Sequence, residues 1–254
     1  MVGIEMEIDE YATLSRFEDS YWWHSNLRQL TLSMIRMYAR LGAGAKILDI
    51  GCGTGGTLAF LKGKLPGARL YGIDNHPLAI SMTRMRLQEG LCQSSANALP
   101  FPDAVFDAVI SLDVFYVREV NDMQALRESY RVLKEGGILV INLPAFEFLR
   151  GQHDLAVHTR HRYTAKELEQ KLSSAGFAIR RLSYWNAFLL PMVFARRRLR
   201  RRRVAPEIPK SDLVVLPPIV NELLKGLLRI ERAMLSRVDL PLGSSVLAVA
   251  QKIR

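Results

Sequence analysis

The residues of this chain best suited to chemistry lie in segment 47–56, which reads Ile-Leu-Asp-Ile-Gly-Cys-Gly-Thr-Gly-Gly. An apolar run containing an acid, Asp49, leads directly into a glycine-rich turn, as in a buried strand followed by a tight loop and a helix. Glycine permits positive φ and close approach of a ligand to the backbone. The first turn of a helix presents unpaired N–H groups and a partial positive charge. The segment therefore predicts a site for a nucleotide-like ligand.

Two kinds of ligand compete for this loop. Gly51, Gly53 and Gly56 satisfy G-x-G-x-x-G, the dinucleotide fingerprint. Asp49, two residues before the first of these glycines, would repel a pyrophosphate and attract a cation, unless it only caps the turn. The D-x-G-x-G-x-G pattern resembles motif I of the class I S-adenosylmethionine (SAM)-dependent methyltransferases, and SAM carries an α-amino cation and a sulfonium.

Other segments extend the resemblance from about residue 45 to residue 143. Ser95–Pro102 resembles the D-A-x-x-L-P-F segment of these enzymes, which borders the adenine, and Arg131–Gly137 resembles their R-V-L-K-x-G-G signature. Phe106-Asp107, an apolar run and Leu112-Asp113-Val114 match the motif of the fourth strand. Ser95 stands where the family has an aspartate, so the contact to the adenine amino group would pass to Asn97.

Asp74 ends the second predicted strand, 23 residues after Gly51, where an acid can accept both ribose hydroxyls. Its alternative role is that of a turn aspartate before Asn75. The resemblance implies SAM as cofactor and S-adenosylhomocysteine as product. The predicted cofactor-binding residues are Asp49, Gly51, Cys52, Gly53, Asp74, Asn75, Ser95, Ala96, Asn97, Leu112 and Asp113.

Strand-like and helix-like segments alternate from Lys46 onward. The predicted strands are Lys46–Ile50, Arg69–Asp74, Leu91–Ser94, Phe106–Leu112, Gly137–Leu143, Phe177–Tyr184 and Ser245–Gln251. Helices are predicted from Thr57, from Pro77 to about Glu89, from Asp122 to Leu133 with a stop at Gly136-Gly137, and from a capping box at Thr164. This alternation predicts an α/β fold, a doubly wound Rossmann-like sheet of seven strands whose ligand lies beyond the strands' carboxyl ends.

Four regions are expected. Residues 1–44 form an N-terminal helical cap, 45–184 the SAM-binding Rossmann-like domain, 185–244 a helical insertion, and 245–254 the final strand. The cap carries an aromatic cluster from Phe17 to His24 that could close over the cofactor or simply pack on the sheet. If the final strand is antiparallel, the insertion emerges at the cofactor edge and overhangs the acceptor site.

Titratable side chains gather after the fifth strand. His153 or His158 is the predicted general base, oriented by Asp154, because histidine exchanges protons near neutral pH. The alternative is a polar brace that ties this loop to the helix beginning at Thr164. Tyr116 is an acceptor contact or a core residue. No metal is expected, since neither the histidines nor the two cysteines have a convincing ligand spacing.

The charge of +10 is local, because seven arginines fall in Arg196–Arg203 and the chain carries only +3 without them. An amphipathic helix from about Ile219 to Ser236 follows, with Val220, Leu223, Leu224, Leu227, Ile230 and Met234 on its apolar face. Apolar surface beside arginine suits an anionic membrane interface. The alternative is a lid with solvated arginines. Nucleic acid is disfavoured because no aromatics interleave the basic residues.

The resulting hypothesis is a cytoplasmic SAM-dependent methyltransferase, peripheral at the inner face of a membrane, acting on a small or lipid-like acceptor. The sequence shows no apolar signal core and no apolar run long enough to span a bilayer. Two other functions remain open: an inactive SAM- or nucleotide-binding adaptor at a membrane surface, and an RNA methyltransferase.

Overall fold

The computed structural model describes residues 11, 15, 17–201 and 216–253. Its α-helices are α1 (Trp22–Tyr38), α2 (Gly56–Lys64), α3 (Pro77–Arg84), α4 (Asp122–Val132), α5 (Gln152–Ala156), α6 (Ala165–Ser174), α7 (Leu190–Arg201) and α8 (Pro218–Leu235). Its strands are β1 (Lys46–Ile50), β2 (Arg69–Asp74), β3 (Leu91–Gln93), β4 (Phe106–Leu112), β5 (Leu133–Pro144), β6 (Phe177–Trp185) and β7 (Ser245–Lys252). The α/β fold with seven strands is therefore confirmed.

The strands form one sheet in the order β3-β2-β1-β4-β5-β7-β6. Neighbouring strands from β3 to β5 are parallel, whereas β7 runs antiparallel to both β5 and β6. Pro144 and Trp185 both pair with Ser245, so β5 and β6 end where β7 begins. The segment between β6 and β7 therefore leaves and re-enters the sheet at the edge where the parallel strands end.

The prediction was wrong at the junction of α4 and β5. The helix ends at Val132 and β5 begins at Leu133, so Gly136 and Gly137 lie within the strand and do not stop the helix. Leu133 is fully buried and pairs with Phe106, after which the ladder resumes only at Ile138 opposite Ala108. Gly136 has φ of +75°, which allows the chain to bulge between these two pairs.

Other boundaries shift by a few residues. Helix α3 ends at Arg84, about a turn before the expected Glu89, with a capping N–H bond from Met85 to Met82. Thr164 caps α6 as predicted, because its hydroxyl accepts from the N–H of Glu167 at 3.2 Å.

Apolar side chains cover both faces of the sheet, and one face carries α1 together with α8. Asn221 joins the two helices, since its Oδ1 accepts from the N–H of Trp22 at 2.9 Å. Further along both helices, Arg232 of α8 donates to Asn26 Oδ1 of α1 at 3.3 Å. The N-terminal cap and the insertion thus pack against each other beside the carboxyl edge of the sheet.

Candidate functional site

A cavity of about 920 Å³ opens at the carboxyl edge of the sheet. Its wall includes every predicted cofactor-binding residue except Asn97, and all of the predicted catalytic residues. The glycine loop after β1 and the ends of β2 and β3 line one part. The ends of β4 and β5, helices α1 and α5, and the start of the insertion line the other. The topology therefore brings the sequence-predicted residues together in one space.

Asp49 lies at the floor of this cavity and is almost fully buried. Burial, and then the neighbouring charges of Asp74 and Glu18, raise its pKa to about 8. A cation entering the cavity would favour the ionised carboxylate and lower this pKa, whereas an anion would add to the repulsion. This electrostatic setting favours a cationic ligand over a pyrophosphate.

The glycine loop is held to the end of β2 by Asp74. One carboxylate oxygen accepts from the N–H of Gly53 and the other from the N–H of His76, both at 3.0 Å. Each oxygen retains a second lone pair for a ligand hydroxyl. Gly51 has φ of +75°, and a Cβ there would lie 2.3 Å from the side chain of Val114. The loop therefore needs glycine at this position.

An acidic residue from the N-terminal segment lies over the same loop. Glu18 accepts from the hydroxyl of Thr54 and pairs with Arg86 at 3.0 Å. Arg86 also binds both carboxylate oxygens of Asp19, at 2.8 and 3.0 Å, and Arg28 donates to the backbone carbonyl of Glu18. Sequence reasoning missed these residues, because neither acid stands in a motif and their partners are distant along the chain.

A hydrogen-bonded chain links the ends of β4, β5 and β6. The indole N–H of Trp185 donates to Asn142 Oδ1 at 2.6 Å, and the Asn142 amide donates to Asp113 at 2.9 Å. Burial raises the pKa of Asp113 to about 7, although this hydrogen bond and the charge of Arg162 lower it in part. Asp113 has φ of 60°, and backbone strain of this kind concentrates at functional sites.

Asn97 does not contact the cavity. Its amide nitrogen donates to the carbonyl of Glu119 at 3.0 Å, and its oxygen accepts from the N–H of Asn121 at 2.9 Å. Both ends of the side chain therefore hold the loop that precedes α4. The prediction that Asn97 replaces the family's aspartate is not supported by this geometry, and Ser95 and Ala96 are the residues of that segment that face the cavity.

The loop after β5 contains contacts of the polar brace, one of the two roles that the sequence left open. Arg162 and Asp154 form a buried ion pair at 2.6 Å, and Asp154 also accepts from the N–H of Gly151 at 2.7 Å. His161 contacts Glu167 at 2.7 Å, outside the cavity wall. These contacts form the polar brace.

His153 and His158 line the cavity, so a base role for either stays a prediction. Tyr116 is 92% buried and packs in the core, and it also lines the cavity.

Aromatic side chains line the part of the cavity next to the N-terminal cap. Trp22, Trp23 and His24 come from α1, and Trp23 stacks on Trp185 with ring centroids 4.4 Å apart. Asn186 follows Trp185 in a left-handed conformation with φ of 58° and also lines the wall. Of the aromatic cluster that was expected either to close over the cofactor or to pack on the sheet, Tyr21, Trp22, Trp23 and His24 line the cavity, and Trp23 contacts the end of β6.

Comparison with known proteins agrees with this geometry. A family model described as a methyltransferase domain matches residues 48–141. The demethylmenaquinone methyltransferase of Thermus thermophilus is 40% identical over 105 residues, which cover 39% of this chain and 47% of that protein. The ubiquinone/menaquinone biosynthesis C-methyltransferase UbiE of Shewanella is 36% identical over 135 residues, covering 49% and 51%. The chain thus spans about half the length of the curated relatives it matches.

Among solved structures, a chain from the Haloferax volcanii complex of a methyltransferase with its activator Trm112 superposes with a TM-score of 0.64. The sequences are 20% identical, and the match covers 98% of this chain and 97% of the other. The sheet order, the glycine loop and the acids at the strand ends are those of an α/β domain with a site for a nucleoside-containing ligand. Residues 48–141 are similar to a methyltransferase domain, and the fold of the whole chain is similar to that of a solved methyltransferase complex chain.

SAM, the cofactor of the methyltransferases that this chain resembles, fits the residues present. The α-amino cation and sulfonium of SAM match the acidic floor formed by Asp49, Asp74 and Glu18. The spare lone pairs of Asp74 can accept ribose hydroxyls, and Ser95 and Ala96 lie on the wall beyond it. A pyrophosphate would meet the same three carboxylates, so the dinucleotide alternative is not supported.

Proposed function

We propose that this protein is a SAM-dependent methyltransferase acting on a small, apolar, lipid-like acceptor. The observation that carries the proposal is the state of Asp49, a buried acid at the end of β1 whose pKa is about 8 in the presence of Asp74 and Glu18. Such a cluster gains stability when a cation enters, because the cation offsets both the burial and the mutual repulsion of the carboxylates.

When bound, SAM supplies a methyl group on a positively charged sulfur, and transfer requires the acceptor atom in line with that methyl. The residues of this chain bind and orient. Asp74 fixes the loop backbone through Gly53 and accepts ribose hydroxyls. Asp113, held by Asn142, lines the cavity just beyond the end of β4. Trp22 and Trp23 line the cavity and exclude water from it.

His153 and His158 are the proposed proton acceptors when the methylated atom carries a proton. Both face the cavity from the segment that follows β5, and a positioned base adds about 10²–10⁴-fold to the rate. Asp154 contributes indirectly in this scheme, since its ion pair with Arg162 fixes the segment that carries both histidines.

The acceptor class rests on the wall and on the relatives. The acceptor part is lined by aromatic and aliphatic side chains, including Trp22, Trp23 and Met192. The curated relatives are named for methylation in quinone biosynthesis, although they match this chain mainly over its cofactor domain. We therefore propose an acceptor with an apolar ring, and demethylmenaquinone with a short side chain is the first compound to try.

The test uses SAM with a tritiated methyl group, the purified chain, and separate panels of demethylmenaquinone, bacterial lipid extract and RNA. Transfer of label to the quinone or to a lipid supports the proposal. SAM binding without label transfer to any panel indicates the inactive adaptor, and label in RNA alone indicates the RNA methyltransferase. Either of these two results would overturn the proposed function.

We further propose that the insertion contacts an anionic membrane. Helix α8 presents Ile219, Leu223 and Ile230 outward, with 76%, 68% and 59% of their surfaces exposed. In the part of the chain that the structure describes, no helix is long and apolar enough to cross a membrane. Apolar side chains beside basic ones match an interfacial helix. The arginine run supports this from sequence alone, since its side chains and the whole of Arg202 and Arg203 lie outside what the structure describes.

A further inference from the structure

Two side chains of α1 carry polar atoms that have no partner in the described structure. Nε1 of Trp22 and Nδ1 of His24 are buried, and neither makes a hydrogen bond there. Both residues line the acceptor part of the cavity. Polar groups left without a partner in a folded protein are costly, and their presence on a cavity wall points to a ligand.

The protonation of His24 follows from its surroundings. Burial, and then the charges of Arg28 on the same helix and His153 on α5, lower its pKa to about 4, so the ring is neutral at pH 7. A neutral imidazole carries one proton. A buried N–H without an acceptor is rarer in proteins than an empty lone pair, so the proton belongs on Nε2 and not on the buried Nδ1.

Nε2 is the nitrogen that remains available. It makes no hydrogen bond within the described residues, and it is not among the buried atoms that lack a partner. His24 therefore offers an N–H at a wall that also carries Trp23 and Val193, with the polar side chains of Arg28 and His153 nearby. An N–H beside aromatic and aliphatic side chains can recognise one oxygen on a ring that packs against them.

We infer that His24 is a specificity-determining residue that donates its Nε2–H to an oxygen atom of the acceptor. This inference rests on the proposed function in one respect, since it takes the aromatic chamber as the acceptor site. His24 has no part in proton abstraction in this scheme, because a neutral ring protonated on Nε2 is a donor toward the cavity. The base, where one is needed, remains His153 or His158.

Equilibrium dialysis tests the inference without any methyl transfer. The probes are 1-naphthol and 1-methylnaphthalene, which have the same ring system and similar size but differ in the presence of oxygen. They are compared on the wild type, on His24→Leu and on His24→Gln, which keeps an N–H donor. Gln29→Leu serves as the control on the same helix, because Gln29 does not line the cavity.

We expect His24→Leu to weaken 1-naphthol binding about tenfold, as for one lost hydrogen bond, and to leave 1-methylnaphthalene binding unchanged. His24→Gln should restore most of the naphthol affinity, and Gln29→Leu should match the wild type for both probes. Equal losses for both probes, no loss for either, or no binding of either probe to the wild type would overturn the inference.

SAM affinity, measured separately by calorimetry, should be the same in all four proteins. A wild type that binds 1-naphthol but not SAM would refute the proposed function while leaving the role of His24 intact.

Discussion

Trp185 and Asn142 are joined by a buried hydrogen bond of 2.6 Å, although they lie 43 residues apart at the ends of different strands. The same Asn142 holds Asp113 at 2.9 Å, and Trp185 stacks on Trp23 of α1. Asn142 and Trp185 thus connect Asp113, just beyond the end of β4, to helix α1. Packing of the cap and positioning of Asp113 are therefore coupled.

Replacement of Asn142 by leucine should destabilise the fold strongly. The variant leaves the Trp185 N–H and the Asp113 carboxyl without partners, at a cost of about 1–3 kcal/mol for each unpaired group. Chemical denaturation gives the free energy of unfolding. Ser111→Ala is the matched control, because the buried hydroxyl of Ser111 makes no hydrogen bond in the described structure. Equal stabilities of the two variants would contradict the proposed coupling.

Binding of SAM should release protons. In the free protein the pKa of Asp49 is about 8, above its ordinary value, so the carboxyl is protonated below that pH. A bound cation stabilises the carboxylate and lowers this pKa, so affinity should rise with pH up to about 8 and fall as pH decreases. Near pH 7 we expect release of about one proton per bound molecule.

Calorimetry in two buffers of different ionisation enthalpy measures this release. Asp49→Asn should bind SAM more weakly and with much less proton release than the wild type. A pH-independent affinity in the wild type between pH 6 and pH 8 would show that Asp49 does not face the cation.

Gly243 should be intolerant of any side chain. A Cβ there would lie 2.2 Å from the carbonyl oxygen and 2.7 Å from the nitrogen of Trp185, both backbone atoms that cannot move aside. Gly243→Ala should cost about 1–3 kcal/mol in thermal or chemical unfolding. Gly63→Ala is the control, because that glycine lies in α2 with open space around it. Alanine there should stabilise the helix by about 0.5–1 kcal/mol.

The outward face of α8 should bind anionic vesicles. Leu223→Gln combined with Ile230→Gln should reduce co-sedimentation with phosphatidylglycerol vesicles at least tenfold, since each buried leucine-sized side chain contributes about 1.5–3 kcal/mol. Met85→Gln is the control, because Met85 is an exposed apolar residue (78%) just after α3 and not part of α8. Equal vesicle binding by the double variant, Met85→Gln and the wild type would refute the membrane contact.

The cofactor half of the site was predictable because its signals are local. Asp49, the glycines and Asp74 stand at strand ends that short apolar runs mark clearly, and parallel strands bring those ends to one edge. Glu18 and Arg28 could not be found this way. They reach the loop only through the folding of the N-terminal segment over α2, and no spacing in the sequence encodes that contact.

Helix α8 shows a second limit of prediction from the sequence. Periodicity placed Leu223 with Leu224 on one apolar face, but Leu224 packs on the body while Leu223 points outward. The inward face also contains Glu231, whose carboxylate accepts from the N–H groups of Ala187 and Phe188 at 3.0 and 3.1 Å. Hydrophobicity alone cannot identify the inward face when a buried polar residue on it accepts hydrogen bonds from distant backbone.

The most direct test of the central claim is calorimetric titration of the wild type and of an Asp49→Ala, Asp74→Ala double variant with SAM and, separately, with NAD. The acidic floor predicts that the wild type binds SAM, that it does not bind NAD, and that the double variant loses SAM affinity. Asp103→Ala, which alters an exposed acid outside the cavity, should behave as the wild type. Binding of NAD in place of SAM, or undiminished SAM binding by the double variant, would contradict the account.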